Sequence, residues 1–212
     1  KPLFGAFFSS PWAFEQQVKI LEADKVIIPD SLKENLRRWK MYEQDIVDNI
    51  VDALDEPEKH ISRIVQVMYY LDEYATDSKV VLFTNYKETF ELYEEMLTEF
   101  YTEDGFSCFI KGMSADELEV NVCRFQNDKN CTIMLCDESG GEGRNFQCAD
   151  FVVHIDLPWD ANAIEQRIGR LDRMGRESGR PIVSVVPYAE ETLEEELFKF
   201  WDKGLKIFNH SL

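Results

Sequence analysis

No stretch of this 212-residue chain approaches the ~18 consecutive apolar residues that a membrane-spanning helix needs, so no membrane span is expected. No basic-then-apolar leader opens it. Lys1 stands where an initiator methionine would, which reads as the mark of a piece excised from a longer protein. Histidine is scarce: His60, His154 and His210 are scattered. The five cysteines (Cys108, Cys123, Cys131, Cys136 and Cys148) form no C-x-x-C pair, so no metal site is expected from this chain alone. An odd number of thiols, mostly in apolar surroundings, reads as buried free cysteine in a reducing cytoplasm. The pattern G-x-x-x-x-G-K-[ST] occurs nowhere, and no glycine is followed by lysine. Asp137-Glu138, the one Asp-Glu pair placed after an apolar run, is followed by Ser139-Gly140 rather than by histidine two places on. The chain is therefore not expected to cradle a triphosphate and its magnesium unaided. Positive charge is also short: the net charge is −18, which argues against a broad phosphate-binding surface.

What is present divides into two parts. Residues 1–78 read as a helical, acidic appendage, with apolar spacing near 3.6 from Pro11 to Ala23, Ser31 to Leu54 and Pro57 to Tyr74. Ser10 is placed to cap a helix that opens on Pro11. Residues 79–212 alternate short β-rich runs with amphipathic helices. The expected strands are Val80–Phe83, Ser107–Ile110, Thr132–Cys136, Phe151–Ile155 and Ile182–Val186. The expected helices are Glu88–Tyr101, Ala115–Phe125, Ala161–Leu171 and a long one from Glu190 to Phe208. Near-continuous apolar strands alternating with helices predict an α/β fold with a parallel sheet covered on both faces. Ligands of such sheets bind at the C-terminal strand ends.

Two segments carry chemistry. Six of the ten arginines lie between Arg144 and Arg180, and the densest run is Gln166-Arg167-Ile168-Gly169-Arg170-Leu171-Asp172-Arg173. On a helix, Arg170 and Arg173 share a face, so two guanidinium groups can grip one polyphosphate and stabilise charge on a transferring phosphoryl group. The plainer reading is a solvated helix with i,i+3 ion pairs. The second segment is Asp137 to Gln147, which follows an apolar strand and holds Gly140, Gly141 and Gly143. Glycines here permit close backbone approach, and N–H groups in such a loop can cradle phosphate. A tight turn is the alternative.

Together these residues resemble the C-terminal, RecA-like lobe of superfamily 2 helicases. Phe83-Thr84-Asn85-Tyr86 is similar to motif IV, Ser139 to Asn145 to motif V, and Gln166 to Arg173 to motif VI, Q-R-x-G-R-x-x-R. Glu142 to Gln147, the motif VI run and Val186-Pro187-Tyr188 narrow the resemblance to Snf2-type ATPases of the bacterial RapA kind. Asp156-Leu157-Pro158-Trp159 takes the place of the strand end seen in Snf2 proteins, and Ser9-Ser10-Pro11 is similar to the helix leading into their lobe. Two departures stand out: Glu119 and Val120 occupy a neighbourhood that usually holds arginine, and Gly175 is followed by Arg176 where many members have glutamine. The resemblance implies an RecA-like sheet preceded by a helical appendage, forming half of an ATP-dependent DNA translocase or helicase. Arg170 and Arg173 would be the arginine fingers. Gln166, Gly141, Gly143, Arg144 and Asn145 would face the nucleotide, and Thr84, Asn85 and Ser139 the nucleic-acid backbone. ATP with Mg2+ would be held mainly by a first RecA-like lobe elsewhere in the same protein, with duplex DNA as the track. A bacterial cytosolic or nucleoid location follows. A helicase fold kept as a scaffold for a protein partner such as RNA polymerase is the main alternative, and an unrelated nucleotide-sugar transferase a lesser one.

Overall fold

The computed structural model describes residues 2–74, 78–141, 144–172, 176 and 181–209. Among them, β1 (Val80–Phe83), β2 (Phe106–Phe109), β3 (Ile133–Cys136), β4 (Phe151–His154) and β5 (Val183–Val185) form one sheet in the order β2-β3-β1-β4-β5. Every pairing is parallel, as the alternation of runs and helices predicts. In register, Val80 lies opposite Ile133 and Phe151, and Phe83 opposite Cys136 and His154. The C-terminal ends of the three central strands therefore finish level, along one edge.

The strands are apolar throughout because both faces are covered. Val80, Leu82, Ile133, Leu135 and Val153 meet Ile64, Val67, Met68 and Leu71 of α5 (Arg63–Tyr74) and Phe90, Tyr93 and Leu97 of α6 (Lys87–Gly105). Alternation in the strands sends Val81, Phe83, Met134, Cys136 and Val152 to the other face. There they meet Val122 and Phe125 of α7 (Ala115–Asn127), together with Phe146 and Leu171. The first core runs across the expected division between residues 78 and 79, and takes in Ile46, Val47, Ile50 and Ala53 as well. Arg63 reinforces this: its Nη1 donates to Ile155 O at 2.7 Å, and its Nη2 lies 2.5 Å from Glu194 Oε2.

The N-terminal part is helical: α1 (Pro2–Phe7), α2 (Pro11–Ala23), α3 (Asp30–Asp48) and α4 (Ile50–Asp55). Phe14 and Val18 of α2 bury against Leu36 of α3, with Trp39 beside them. Ser10 caps α2, accepting from Ala13 N at 3.1 Å.

Several expected boundaries shift, each for a local reason. The helix expected from Ser31 to Leu54 breaks at Asn49, whose side chain donates to Asp45 O at 2.8 Å and competes with the helical backbone. The one expected from Pro57 begins as a 3-10 turn over Pro57–Lys59. The chain then runs extended past Ile61, so α5 starts at Arg63. The helix expected over 161–171 is α8 (Ala161–Ile168). It ends where Gly169 supplies the cap. The long C-terminal helix is α9 (Leu193–Lys199), followed by a wide π turn over Phe200–Gly204 and a 3-10 turn over Ile207–Asn209. Lys206, at φ 55°, ends any continuation. Cys123 is exposed rather than buried, whereas Cys108, Cys131 and Cys136 are buried.

Candidate functional site

Parallel strands deliver their following residues to one edge. There Thr84 and Asn85 leave β1, Asp137 leaves β3, and Ile155 and Asp156 leave β4. The backbone knits these exits together, with Thr84 N donating to Cys136 O (3.1 Å) and Ile155 N to Phe83 O (2.9 Å).

Asp156 is the hub of this edge. It is 1% exposed. Its Oδ1 accepts from Asn85 N (3.0 Å) and Asn85 Nδ2 (2.7 Å); its Oδ2 accepts from Thr84 Oγ1 (2.5 Å) and Ser9 Oγ (3.1 Å). Arg167 completes the network from α8. Its Nη1 donates to Asp156 O (3.1 Å) and faces His154 Nδ1 (3.4 Å). Its Nη2 donates to Asn85 Oδ1 (3.0 Å) and lies 3.7 Å from Asp156 Oδ1. The guanidinium also sits over the Phe83 ring, 5.2 Å from its centroid. An ion pair buried this deeply survives desolvation only when its remaining donors and acceptors are used, and here they are.

The low-dielectric setting moves proton affinities. Burial lowers the Arg167 value, against the pull of Asp156 in the other direction. Burial, and then the Arg167 charge, hold His154 well below the usual imidazole range. A ring held in its neutral form can accept from Arg167 at Nδ1, while the buried Nε2 has no hydrogen-bond partner. Burial likewise raises the Tyr86 phenol, with Asp156 adding to it.

The glycine-bearing loop begins as a 3-10 turn over Glu138–Gly141. Asp137 organises it: Oδ1 accepts from Ser139 N (2.9 Å) and Ser139 Oγ (2.5 Å), and Oδ2 from Lys111 N (2.8 Å). Gly140 is required by close packing. A Cβ there would sit 2.5 Å from Cys136 Cβ. Further on, Asn145 Oδ1 accepts from Gln147 N (2.9 Å), and Arg144 pairs with Glu119, the residue standing in the neighbourhood where arginine was expected. Phe146 N donates to Arg170 O at 2.8 Å, which brings the loop alongside the arginine-bearing turn.

The expected site residues therefore fall into groups. Thr84, Asn85 and Ser139 reach the same edge, but each side chain is engaged internally by Asp156 or Asp137. Gln166 is exposed on α8, and Gly141, Arg144 and Asn145 lie on the loop that runs beside Arg170. Gly143 and Arg173 lie outside the described residues. Arg170 sits in the turn beyond α8, which ends at Ile168 with Gly169 as its cap, rather than on the helix expected over 161–171; how it stands to Arg173 falls outside the described residues. Sequence reasoning assigned no role to Arg167. A signal was there: Ile164, Arg167, Ile168 and Leu171 recur at the spacing of a buried helical stripe, which places an arginine on the core side. The roles of Asp156, Ser9 and Thr89 carried no such periodic sign.

The carboxylates of this edge are not free for a metal, since those of Asp137 and Asp156 are taken up by hydroxyl and amide donors. Among the described residues, no group of three or more His, Cys, Asp or Glu side chains stands together as a metal site. Nor is any helix among them long and apolar enough to cross a membrane.

The family model of the helicase conserved C-terminal domain matches residues 59–175, just over half of the chain. The chain belongs to the helicase conserved C-terminal domain family. The match begins before α5, in keeping with a core that includes that helix. The fold is that of RecA-like C-terminal lobes. The C-terminal part of the Fun30 ATPase domain superposes with a TM-score of 0.58 at 18% identity, over 79% of this chain and 57% of that one. The Sulfolobus solfataricus SWI2/SNF2 ATPase core in complex with dsDNA gives 0.56 at 18%, over 96% and 42%. The C-terminal domain of the DEAD-box protein Dbp5 gives 0.52 at 18%, over 66% and 77%. This chain thus spans little more than half of the Fun30 fragment and under half of the SWI2/SNF2 core.

Proposed function

We propose that this helicase C-terminal domain is the second lobe of a Snf2-type, ATP-dependent DNA translocase, resembling the bacterial RapA kind in its motifs and acting in the cytosol. The observation that carries the reading is the bond from Phe146 N to Arg170 O, which joins the glycine-bearing loop to the arginine turn at the C-terminal edge of a parallel sheet. A first lobe in the same full-length protein holds the nucleotide's phosphates and Mg2+, since this chain has no P-loop and its edge carboxylates are already engaged. When bound there, ATP supplies a γ-phosphoryl group whose developing charge needs cationic stabilisation. On this reading Arg170 and Arg173 would bring guanidinium groups to that charge, and Gln166, Gly141, Gly143, Arg144 and Asn145 would be the nucleotide-facing residues. Thr84, Asn85 and Ser139 lie where backbone phosphates of duplex DNA pass, a track in keeping with the dsDNA complex of the SWI2/SNF2 core. The negative charge of the chain confines such contacts to this edge.

The decisive measurement is DNA-stimulated ATP hydrolysis by the full-length protein. Arg170→Ala and Arg173→Ala are each expected to lower turnover by roughly 10³-fold while the fold is kept. Normal turnover in both variants would overturn the finger assignment.

A further inference from the structure

The junction between α1 and α2 touches the edge network through a chain of hydroxyl groups. Ser10 Oγ lies 2.8 Å from Thr89 Oγ1, Thr89 Oγ1 lies 2.7 Å from Ser9 Oγ, and Ser9 Oγ donates to Asp156 Oδ2. All four side chains are buried. Each hydroxyl has one proton, so the carboxylate sets the direction of the whole chain. Ser9 gives its proton to Asp156 and must accept from Thr89. Thr89 in turn accepts from Ser10, which takes the Ala13 N–H on a lone pair. Aligned bonds of this kind polarise one another and act as a unit. From Asp156 the network continues to Asn85 and Arg167, and Arg167 sits two residues before the Gly169 cap that aims the arginine turn.

Resting on the ATPase reading above, we propose that the Ser10–Thr89–Ser9 chain is a coupling latch: through Asp156 it lets the helical segment preceding the lobe set the position of Arg167 and hence of the Arg170 turn. Ser9, Thr89, Asp156 and Arg167 are positioning residues on this view, because none touches the reacting atoms. The purely structural alternative predicts lost stability without a change in turnover.

In the full-length protein, Thr89→Val removes the central proton donor at nearly constant shape, and Ser9→Ala removes only the last link. Both are expected to lower DNA-stimulated kcat about tenfold with the KM for ATP unchanged, the scale of a small misplacement of a reacting group. Thr89→Ser should restore the rate. Hydrogen exchange should speed up at the amides of Gly169, Leu171 and Asp172, which close the turn. Wild-type kcat in both variants, or failure of Thr89→Ser to restore it, would overturn the latch. If the wild-type protein itself shows no turnover, the ATPase reading fails instead. The exchange measurement then decides the latch by itself, and unchanged exchange at these amides refutes it.

Discussion

Arg167 and His154 show how much a single residue depends on where the fold puts it. Arg167 is 3% exposed, and its guanidinium ties β4, Asn85 and the Phe83 ring together. Removing one member of such a buried pair leaves the other uncompensated. Arg167→Met is therefore expected to cost about 3–5 kcal/mol of folding free energy, read from urea denaturation. His154 adds a pH dependence. It stays neutral in the folded protein, well below its ordinary proton affinity, so below the unfolded value near ~6.5 the unfolded chain binds the extra proton. Stability is complete above that pH and falls as pH drops towards the depressed native value, by up to about 1.4 kcal/mol per pH unit. Denaturation midpoints between pH 7 and 5 should show this slope in the native protein and a shallower one in His154→Gln, which keeps an acceptor for Arg167.

Among the elements, helix starts were legible where a capping side chain marks them and less so elsewhere, as at Pro57, where α5 begins only at Arg63. Ser10 before Pro11 and Asp160 before α8 cap the helices they precede, and Ser114 forms a reciprocal capping box with Glu117 at α7. Ser114→Ala is expected to lose about 1 kcal/mol, seen as a lower thermal midpoint. It should act through α7, whose Val122 and Phe125 hold the second core. Ends are harder to read because they rest on weak local competition: Asn49 bonding back to Asp45, or Gly169 stopping α8 three residues before the last expected apolar position at Leu171. The second of these moves Arg170 off the helix and onto a turn fastened by Phe146.

In the whole molecule, the sheet and the helix before it form one cooperative body. Ile64, Val65, Val67, Met68 and Leu71 of α5 are all nearly inaccessible to solvent. At about 1.5–3 kcal/mol for each large apolar side chain buried, α5 contributes on the scale of a domain's entire net stability of about 5–15 kcal/mol. A chain shortened to begin at Lys79 is thus expected not to fold, giving a far-ultraviolet spectrum and exchange pattern of an unfolded or molten state; a cooperative transition in that fragment would refute this. The sequence by itself determined the class of fold, the positions of the strands and the two motifs at their ends, because apolar periodicity, glycine placement and arginine spacing are local properties that survive in one dimension. Only the tertiary structure decided that α5 belongs to the core, that Asn85 and Ser139 are held by aspartates, and that Ser9, Asp156 and Arg167 form one network. Those facts depend on residues as far apart as 147 positions meeting in a low-dielectric interior, where an unmade hydrogen bond is costly and partners are chosen by the packing of the whole chain.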